Sequence, residues 1–123
     1  MSTIIASNVS DGTLSIPTTY VTNGSAKAWV NFNGTGTIAA RDSFNVASLT
    51  DNSTGSYSVN FTSSMANSGY ACPTSVDQIS PFPIIQAYLQ SVQTGLVGLN
   101  VAQPGTADYD TTSVHCSVSG DLA

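Results

Sequence analysis

The stretch DNSTGSYSVNF, Asp51 to Phe61, contains the strongest fold signal in this chain. Its first half, DNSTGS, is rich in residues that favour turns. In its second half, Tyr57, Val59 and Phe61 alternate with polar residues, which is the pattern of a strand with one buried face. The stretch therefore predicts a turn followed by a half-buried β-strand.

The same alternation recurs in three other segments, 28–32, 97–101 and 114–118. A further apolar segment, 84–92, fits either a strand or a short helix. Short strands about 8–12 residues apart, with turn residues between them, are typical of an antiparallel sandwich.

We therefore predict an all-β fold with one domain. It is an antiparallel β-sandwich or jelly roll at residues 25–123. Residues 1–24 are rich in Ser, Thr and Asn, with isolated apolar residues and an interrupting Pro17. This composition predicts an extended N-terminal arm rather than a part of the core.

The composition excludes several classes of partner. Charged residues make up 7% of the chain, against about 25% in an average soluble domain, and there is no glutamate. The net charge is −5, with one lysine and one arginine. A phosphate backbone or an anionic lipid surface needs a basic patch, which two cations cannot form. No apolar run approaches the ~20 residues of a membrane span. We therefore expect no nucleic-acid partner and no membrane insertion.

Residues suited to catalysis are sparse. His115, the single histidine, lies on the outward side of the last alternating segment. Ser113 and Asp121 are near it in sequence, but residues along one strand cannot converge on a common reacting atom. The aspartates fall in turn-like segments, where their side chains bond locally to the backbone. We therefore predict no catalytic residue and a protein that is not an enzyme.

Asp108 and Asp110 have a spacing that calcium-binding loops use. The rest of the loop pattern, including its distal bidentate acid, is absent. A turn-forming role for both aspartates is favoured. We therefore expect no metal ion and no cofactor, and these two residues are only weak candidates for metal ligands.

The two cysteines, Cys72 and Cys116, each lie two residues from an apolar residue of the same segment. Both side chains are therefore expected to point toward an interior or an interface. Three alternatives follow: two buried free thiols, an internal disulfide, or a disulfide to another chain. A zinc site is not predicted, because two cysteines and one histidine make an incomplete ligand set.

Both cations and the only tryptophan lie within Asn23 to Phe44, NGSAKAWVNFNGTGTIAARDSF. On a strand, Lys27 and Trp29 would share a face. Trp29 could serve as a platform on which a sugar stacks. Alternatively, Lys27, Trp29 and Arg41 form a structural or interface anchor, in which the cations cover the indole and pair with aspartates. We favour the anchor, because aromatic residues and arginine are enriched in interface cores.

Residues 23–65 resemble a recurring tail-fibre-like domain of bacteriophage virion proteins, frequent in phages of cyanobacteria. VHCSVSGDLA, residues 114–123, is similar to the end of such chains, and residues 1–21 are similar to their usual lead-in. The match is loose between Pro73 and Asp110. The resemblance implies a trimeric β-sandwich on the virion surface, joined to the particle by its N-terminal part, and it implies no catalytic residue.

Two functions are consistent with this resemblance. The first is a short phage tail fibre or receptor-binding subunit of the virion, a homotrimer whose arm attaches to tail or baseplate proteins. The segment 72–110 would then face the host, with Tyr88 and Tyr109 as possible contacts to a surface glycan. The alternative is a capsid decoration protein, whose arm grips the capsid and stabilises the shell.

Overall fold

The alternating segments of the sequence form the central strands of two antiparallel sheets. The computed structural model describes residues 1–77 and 85–123. The elements, in chain order, are β1 (Asn8–Ser10), β2 (Ser15–Pro17), α1 (Thr18–Gly24), β3 (Ala28–Asn33), β4 (Ala39–Phe44), β5 (Val46–Ser53), β6 (Ser56–Phe61), β7 (Thr74–Val76), β8 (Gln86–Val92), β9 (Leu96–Gln103), β10 (Ala107–Asp108) and β11 (Val114–Val118).

In the described ranges, 1–77 and 85–123, the two sheets of the sandwich have four and five strands. The four-stranded sheet has the order β4-β3-β11-β7. The five-stranded sheet has the order β10-β9-β6-β5, and β8 also pairs with β9. Asn100 of β9 pairs with Ser56 of β6 and with Tyr88 of β8, so β6 and β8 flank β9. The predicted all-β fold is confirmed, and residues 86–92 of the ambiguous segment are a strand. Ile84 lies outside the described residues.

The core lies between the inward faces of β3 and β11 on one sheet and β6 and β9 on the other. Each of these four strands buries three alternating side chains: Ala28, Val30, Phe32; Val114, Cys116, Val118; Tyr57, Val59, Phe61; and Val97, Leu99, Val101. Phe32 and Tyr57 meet edge to face across the two sheets, with ring centroids 5.3 Å apart. Because burying a large apolar side chain contributes about 1.5–3 kcal/mol, these residues dominate the stability of the fold.

Asn45 is the residue at which the chain crosses from the four-stranded sheet to the five-stranded sheet. It stands between β4 and β5 with a φ of 55°, in the left-handed region. Its Nδ2 donates to the carbonyl oxygens of Lys27 (2.9 Å) and Ser63 (3.1 Å), and its Oδ1 accepts from the Ser63 backbone N–H (2.7 Å). Asparagine tolerates this backbone conformation better than most residues, and here its side chain also fixes both neighbouring segments.

The N-terminal segment, residues 1–24, is not the uniformly extended arm that the composition predicts. None of residues 1–24 is buried. β1 and β2 form a hairpin, and α1 follows directly. The carboxylate of Asp11 accepts from the backbone N–H groups of Thr13 and Leu14, and Gly12 has a φ of 96°. The Asp11–Gly12 pair is thus the turn signal that makes a hairpin of the predicted extended arm.

Candidate functional site

The outward side of the four-stranded sheet is the most prominent candidate site. We call it the Trp29 face. Its members are Trp29, Asn31, Asp42, Phe44, Ser75, His115 and Ser117. Trp29, Asn31, His115 and Ser117 alternate along their strands with inward-facing residues, so their side chains point outward. Asp42, Phe44 and Ser75 lie directly opposite these residues on neighbouring strands, so they share the same side.

Strand register arranges the Trp29 face in two rows. Trp29 of β3 lies between Phe44 of β4 and Ser117 of β11. These three residues make a mainly apolar row that crosses the sheet.

The neighbouring row is polar. Asn31 of β3 lies between Asp42 of β4 and His115 of β11, and His115 in turn lies opposite Ser75 of β7. Residues directly opposite one another on antiparallel strands have Cβ atoms about 4.5–5.5 Å apart. The face therefore places an aromatic row next to a line of hydrogen-bonding groups.

Trp29 is accessible on this face. Trp29 is 37% exposed and Phe44 is 55% exposed. An open groove of about 520 Å³ runs beside the indole, and the edge segment Pro73 to Ser75 forms its far wall. The groove crosses the strands at His115 and Ser117. Trp29 is thus a surface aromatic rather than a buried one.

Several polar groups of the Trp29 face are open to a ligand. In the part of the chain that the structure describes, the side chains of Ser75, His115 and Ser117 make no internal hydrogen bond. A hydroxyl both donates and accepts, and a neutral imidazole does the same through its two nitrogens. The face therefore offers donors and acceptors to a polar ligand at the edge of an aromatic surface.

The two cations make their hydrogen bonds away from the indole. Arg41 lies at an irregularity of the β3–β4 register, and its guanidinium donates to Asn31 Oδ1 (3.1 Å), Ser113 Oγ (3.3 Å) and the carbonyl oxygen of Thr112. Lys27 Nζ donates to the Ser25 carbonyl oxygen at 2.7 Å. These acceptors are neutral oxygens, not the aspartates that the anchor hypothesis expected. Arg41 therefore links β4 to the segment before β11. Trp29 remains partly exposed to solvent.

Tyr88 and Tyr109, the expected glycan contacts, lie on or beside the five-stranded sheet. Tyr88 is half exposed and lines a second open groove of about 380 Å³. Its hydroxyl accepts from Asn100 Nδ2 at 2.8 Å, and the same Nδ2 donates to Asp108 Oδ1 at 2.8 Å. Tyr109 is partly buried, and its backbone N–H donates to the Val101 carbonyl oxygen. Tyr88 alone of the two lines this groove.

Asp108 and Asp110 make hydrogen bonds to different partners. Asp108 accepts from Asn100, as above, whereas Asp110 Oδ1 accepts from the Gly55 N–H and the Tyr57 hydroxyl, both at 2.8 Å. Burial and the neighbouring Asp110 raise the pKa of Tyr57 above its ordinary value. Within residues 1–77 and 85–123, no cluster of three or more acidic, histidine or cysteine side chains could hold a metal ion.

Cys72 and Cys116 are both inside the sandwich, as the alternation predicted. They are 8% and 5% exposed, and both are free thiols. The two thiols lie near enough to shift each other's pKa. The neighbouring Cys72 and burial raise the pKa of Cys116, while the neighbouring Cys116 lowers the pKa of Cys72.

His115 lines the open groove beside Trp29, and it lies between Asn31 of β3 and Ser75 of β7. Ser113, which precedes β11, is already occupied as an acceptor for Arg41. Asp42 is separated from His115 by the intervening strand β3. Among the described residues, Ser113 and Asp42 therefore do not line up with His115 as a hydroxyl, an imidazole and a carboxylate in sequence.

Two residues of importance were not singled out from sequence. Phe44 completes the aromatic row only because β4 pairs with β3 in this register. Asn45 had a usable signal, since an asparagine between two apolar-rich segments is a candidate for the left-handed region.

Comparison of the chain with protein-family models, curated proteins and solved structures finds no match. Among the described residues, no helix has the length and apolar character that crossing a membrane requires.

Proposed function

We propose that this protein is a structural subunit of a bacteriophage virion, a short tail fibre or receptor-binding subunit that acts as a homotrimer. Its N-terminal segment attaches to tail or baseplate proteins, and its sandwich contacts a glycan on the host surface. The observation that supports attachment most directly is the contrast between the two parts of the chain. The central strands of the sandwich bury an alternating set of apolar residues, whereas none of the apolar residues of 1–24 is buried.

The N-terminal segment presents apolar side chains for which the fold itself provides no cover. Ile4 and Ile5 are almost fully exposed, and Leu14 and Tyr20 are largely exposed. Scattered apolar residues are normal on a surface, but several within one short segment are typical of a contact site. Burial against another virion protein would stabilise the complex by about 1.5–3 kcal/mol for each large side chain covered.

The Trp29 face supports the second half of the proposal. A pyranose ring has an apolar face of C–H groups and a polar edge of hydroxyls. An exposed aromatic plane beside hydrogen-bonding groups is complementary to such a ligand. The near absence of charge on the chain also suits a neutral sugar better than a charged polymer. The Tyr88 groove is a second, more polar position for the same type of ligand.

The test of attachment uses a charge placed on the exposed residues. A phage carrying Ile4→Asp and Ile5→Asp is expected to assemble particles that lack this protein, measured by quantitative mass spectrometry of purified virions. The matched control is Ser2→Asp with Thr3→Asp, which adds the same charge at neighbouring polar positions and should leave incorporation unchanged. Equal incorporation of both variants would contradict attachment through the N-terminal segment.

The glycan contact is tested with the purified protein. It is expected to adsorb to host cells and to compete with intact phage. Trp29→Ala should reduce adsorption at least tenfold if the Trp29 face is the contact, and Tyr88→Ala should do so if the Tyr88 groove is. Failure of the unaltered protein to adsorb or to compete would refute receptor binding.

A capsid decoration protein is the second candidate, because the same exposed N-terminal segment would grip a capsid as well as a tail. Copy number distinguishes the two. Tail symmetry gives on the order of tens of copies for each particle, whereas a decorated shell gives on the order of hundreds. A count in the hundreds, together with virions that lose heat resistance when the protein is absent, would favour decoration.

A further inference from the structure

The two cysteines are brought together by the edge of the four-stranded sheet. Ala71 bridges to Ser119, and Thr74 lies opposite Cys116, both in antiparallel register with β11. Counting along this register places Cys72 opposite Val118. Cys72 and Cys116 are therefore diagonal neighbours, and both point into the sandwich.

Both cysteines are largely buried. Cys72, on the edge segment, is 8% exposed, and Cys116, on the central strand, is 5% exposed. A diagonal pair has Cα atoms about 7–8 Å apart in a regular ladder. Disulfides span up to about 6.8 Å between Cα atoms, so an approach of roughly one ångström would suffice.

One of the two cysteines lies on a segment that can make this approach. Among residues 1–77 and 85–123, the segment 71–76 lies at the edge of its sheet, and its ladder hydrogen bonds go to β11 and the adjoining Ser119. Its side-chain bond to the other sheet is donated by Thr74 Oγ1 to the Ala87 carbonyl oxygen, at 3.1 Å. Cys116, by contrast, lies on β11, which is paired on both sides. The edge segment can therefore shift while the central strand stays in place.

We propose that Cys72 and Cys116 are a dithiol that oxidises to an intramolecular disulfide and so fastens the edge segment to β11. This goes beyond the function proposed above and does not depend on it. The edge segment is also the far wall of the groove beside Trp29, so the bond would fix the shape of that groove.

The oxidant is a low-molecular-weight disulfide such as glutathione disulfide. The thiolate of Cys72 attacks one sulfur of this disulfide and forms a mixed disulfide, releasing one glutathione thiolate. The thiolate of Cys116 then attacks the Cys72 sulfur and releases the second glutathione. The protein loses two protons and two electrons, and one glutathione disulfide becomes two glutathione thiols.

The experiment treats the reduced full chain with glutathione disulfide and then quenches it with acid, which stops thiol–disulfide exchange. Pepsin digestion at low pH and mass spectrometry without reduction follow. Trypsin is unsuitable, because both cysteines lie beyond the last basic residue, Arg41, and share one tryptic peptide. The expected product is a peptide pair linking Cys72 to Cys116, at least tenfold more abundant than either glutathione adduct.

Two further measurements complete the test. The oxidised protein is expected to melt several degrees above the reduced protein, because a cross-link restricts the unfolded chain. In Cys116→Ser, Cys72 should accumulate the glutathione adduct, because no second thiol can resolve it. Stable glutathione adducts in the unaltered protein, a disulfide between chains on a non-reducing gel, or two thiols that stay free would each overturn the proposal.

Discussion

Replacement of Asn45 by alanine tests how the chain passes from one sheet to the other. Alanine removes all three side-chain hydrogen bonds that Asn45 makes to Lys27 and Ser63. Each such bond contributes about 1 kcal/mol to the free energy of unfolding. The φ of 55° is also less favourable for alanine, by about 1 kcal/mol. We expect Asn45→Ala to lower the free energy of unfolding by about 3–4 kcal/mol.

Asn45→Gly separates the two contributions. Glycine accepts the left-handed backbone without steric cost, so only the hydrogen bonds are lost. The expected loss is about 2–3 kcal/mol, smaller than for alanine. A matched control is Asn52→Ala on the exposed end of β5. The Asn52 side chain donates one hydrogen bond, to Ser58 Oγ, and its loss should cost about 0.5 kcal/mol.

Urea denaturation followed by circular dichroism measures these differences. At roughly 3–5 °C for each kcal/mol in a domain of this size, Asn45→Ala should also lower the Tm by about 10–15 °C. The reasoning is refuted if alanine and glycine at position 45 both remain within about 1 kcal/mol of the unaltered protein. It is refuted equally if the Asn45→Gly protein is less stable than the Asn45→Ala protein, since the left-handed backbone at position 45 would then not affect stability.

Three other predictions concern the core and the Trp29 face. Tyr57→Phe should lower the free energy of unfolding by about 1–2 kcal/mol at pH 7, because Asp110 loses its hydroxyl donor. Because the pKa of Tyr57 is raised by folding, the stability that its hydroxyl contributes is complete below about pH 10 and is lost as the pH rises further. The phenylalanine variant should therefore lose less stability than the unaltered protein in alkali. Melting temperatures measured against pH test this difference. Gly34→Ala should lower the free energy of unfolding by about 1–3 kcal/mol, because a Cβ there would lie 2.5 Å from the Tyr57 hydroxyl oxygen. The control, Gly24→Ala, places its Cβ in open space and should change the stability little. Equal effects of the two substitutions in urea denaturation would contradict this prediction. Trp29→Ala should cost only about 1–2 kcal/mol, less than the ~3–5 kcal/mol of a fully buried indole, and a loss in that higher range would return Trp29 to the role of a structural anchor.

The alternation of apolar residues was sufficient to predict the sandwich. Tyr57, Val59 and Phe61 point inward because a strand turns every second side chain to the same face, whichever strands lie beside it. The same reasoning placed Cys72 and Cys116 in the interior. These predictions succeed because the two-residue alternation of side chains along a strand decides which of them are buried.

Features that depend on which strands pair could not be predicted. The composition of residues 1–24 predicts an extended arm, whereas the pairing of β1 with β2 across the Asp11–Gly12 turn makes a hairpin. The Trp29 face needed the β3–β4 and β3–β11 registers, since nothing in the sequence brings Phe44 and Ser117 to the two sides of Trp29. The partners of Arg41, which lie on β3 and just before β11, were hidden for the same reason.

The amino-acid sequence alone determined that this chain is all-β, nearly free of charge, and lined with alternating apolar residues that form one core. The tertiary structure alone decided that an exposed indole, a histidine and two serines share one open face, and that two buried cysteines are diagonal neighbours. Periodicity is a property of neighbours along the chain, whereas a site is made by residues that only strand pairing brings together.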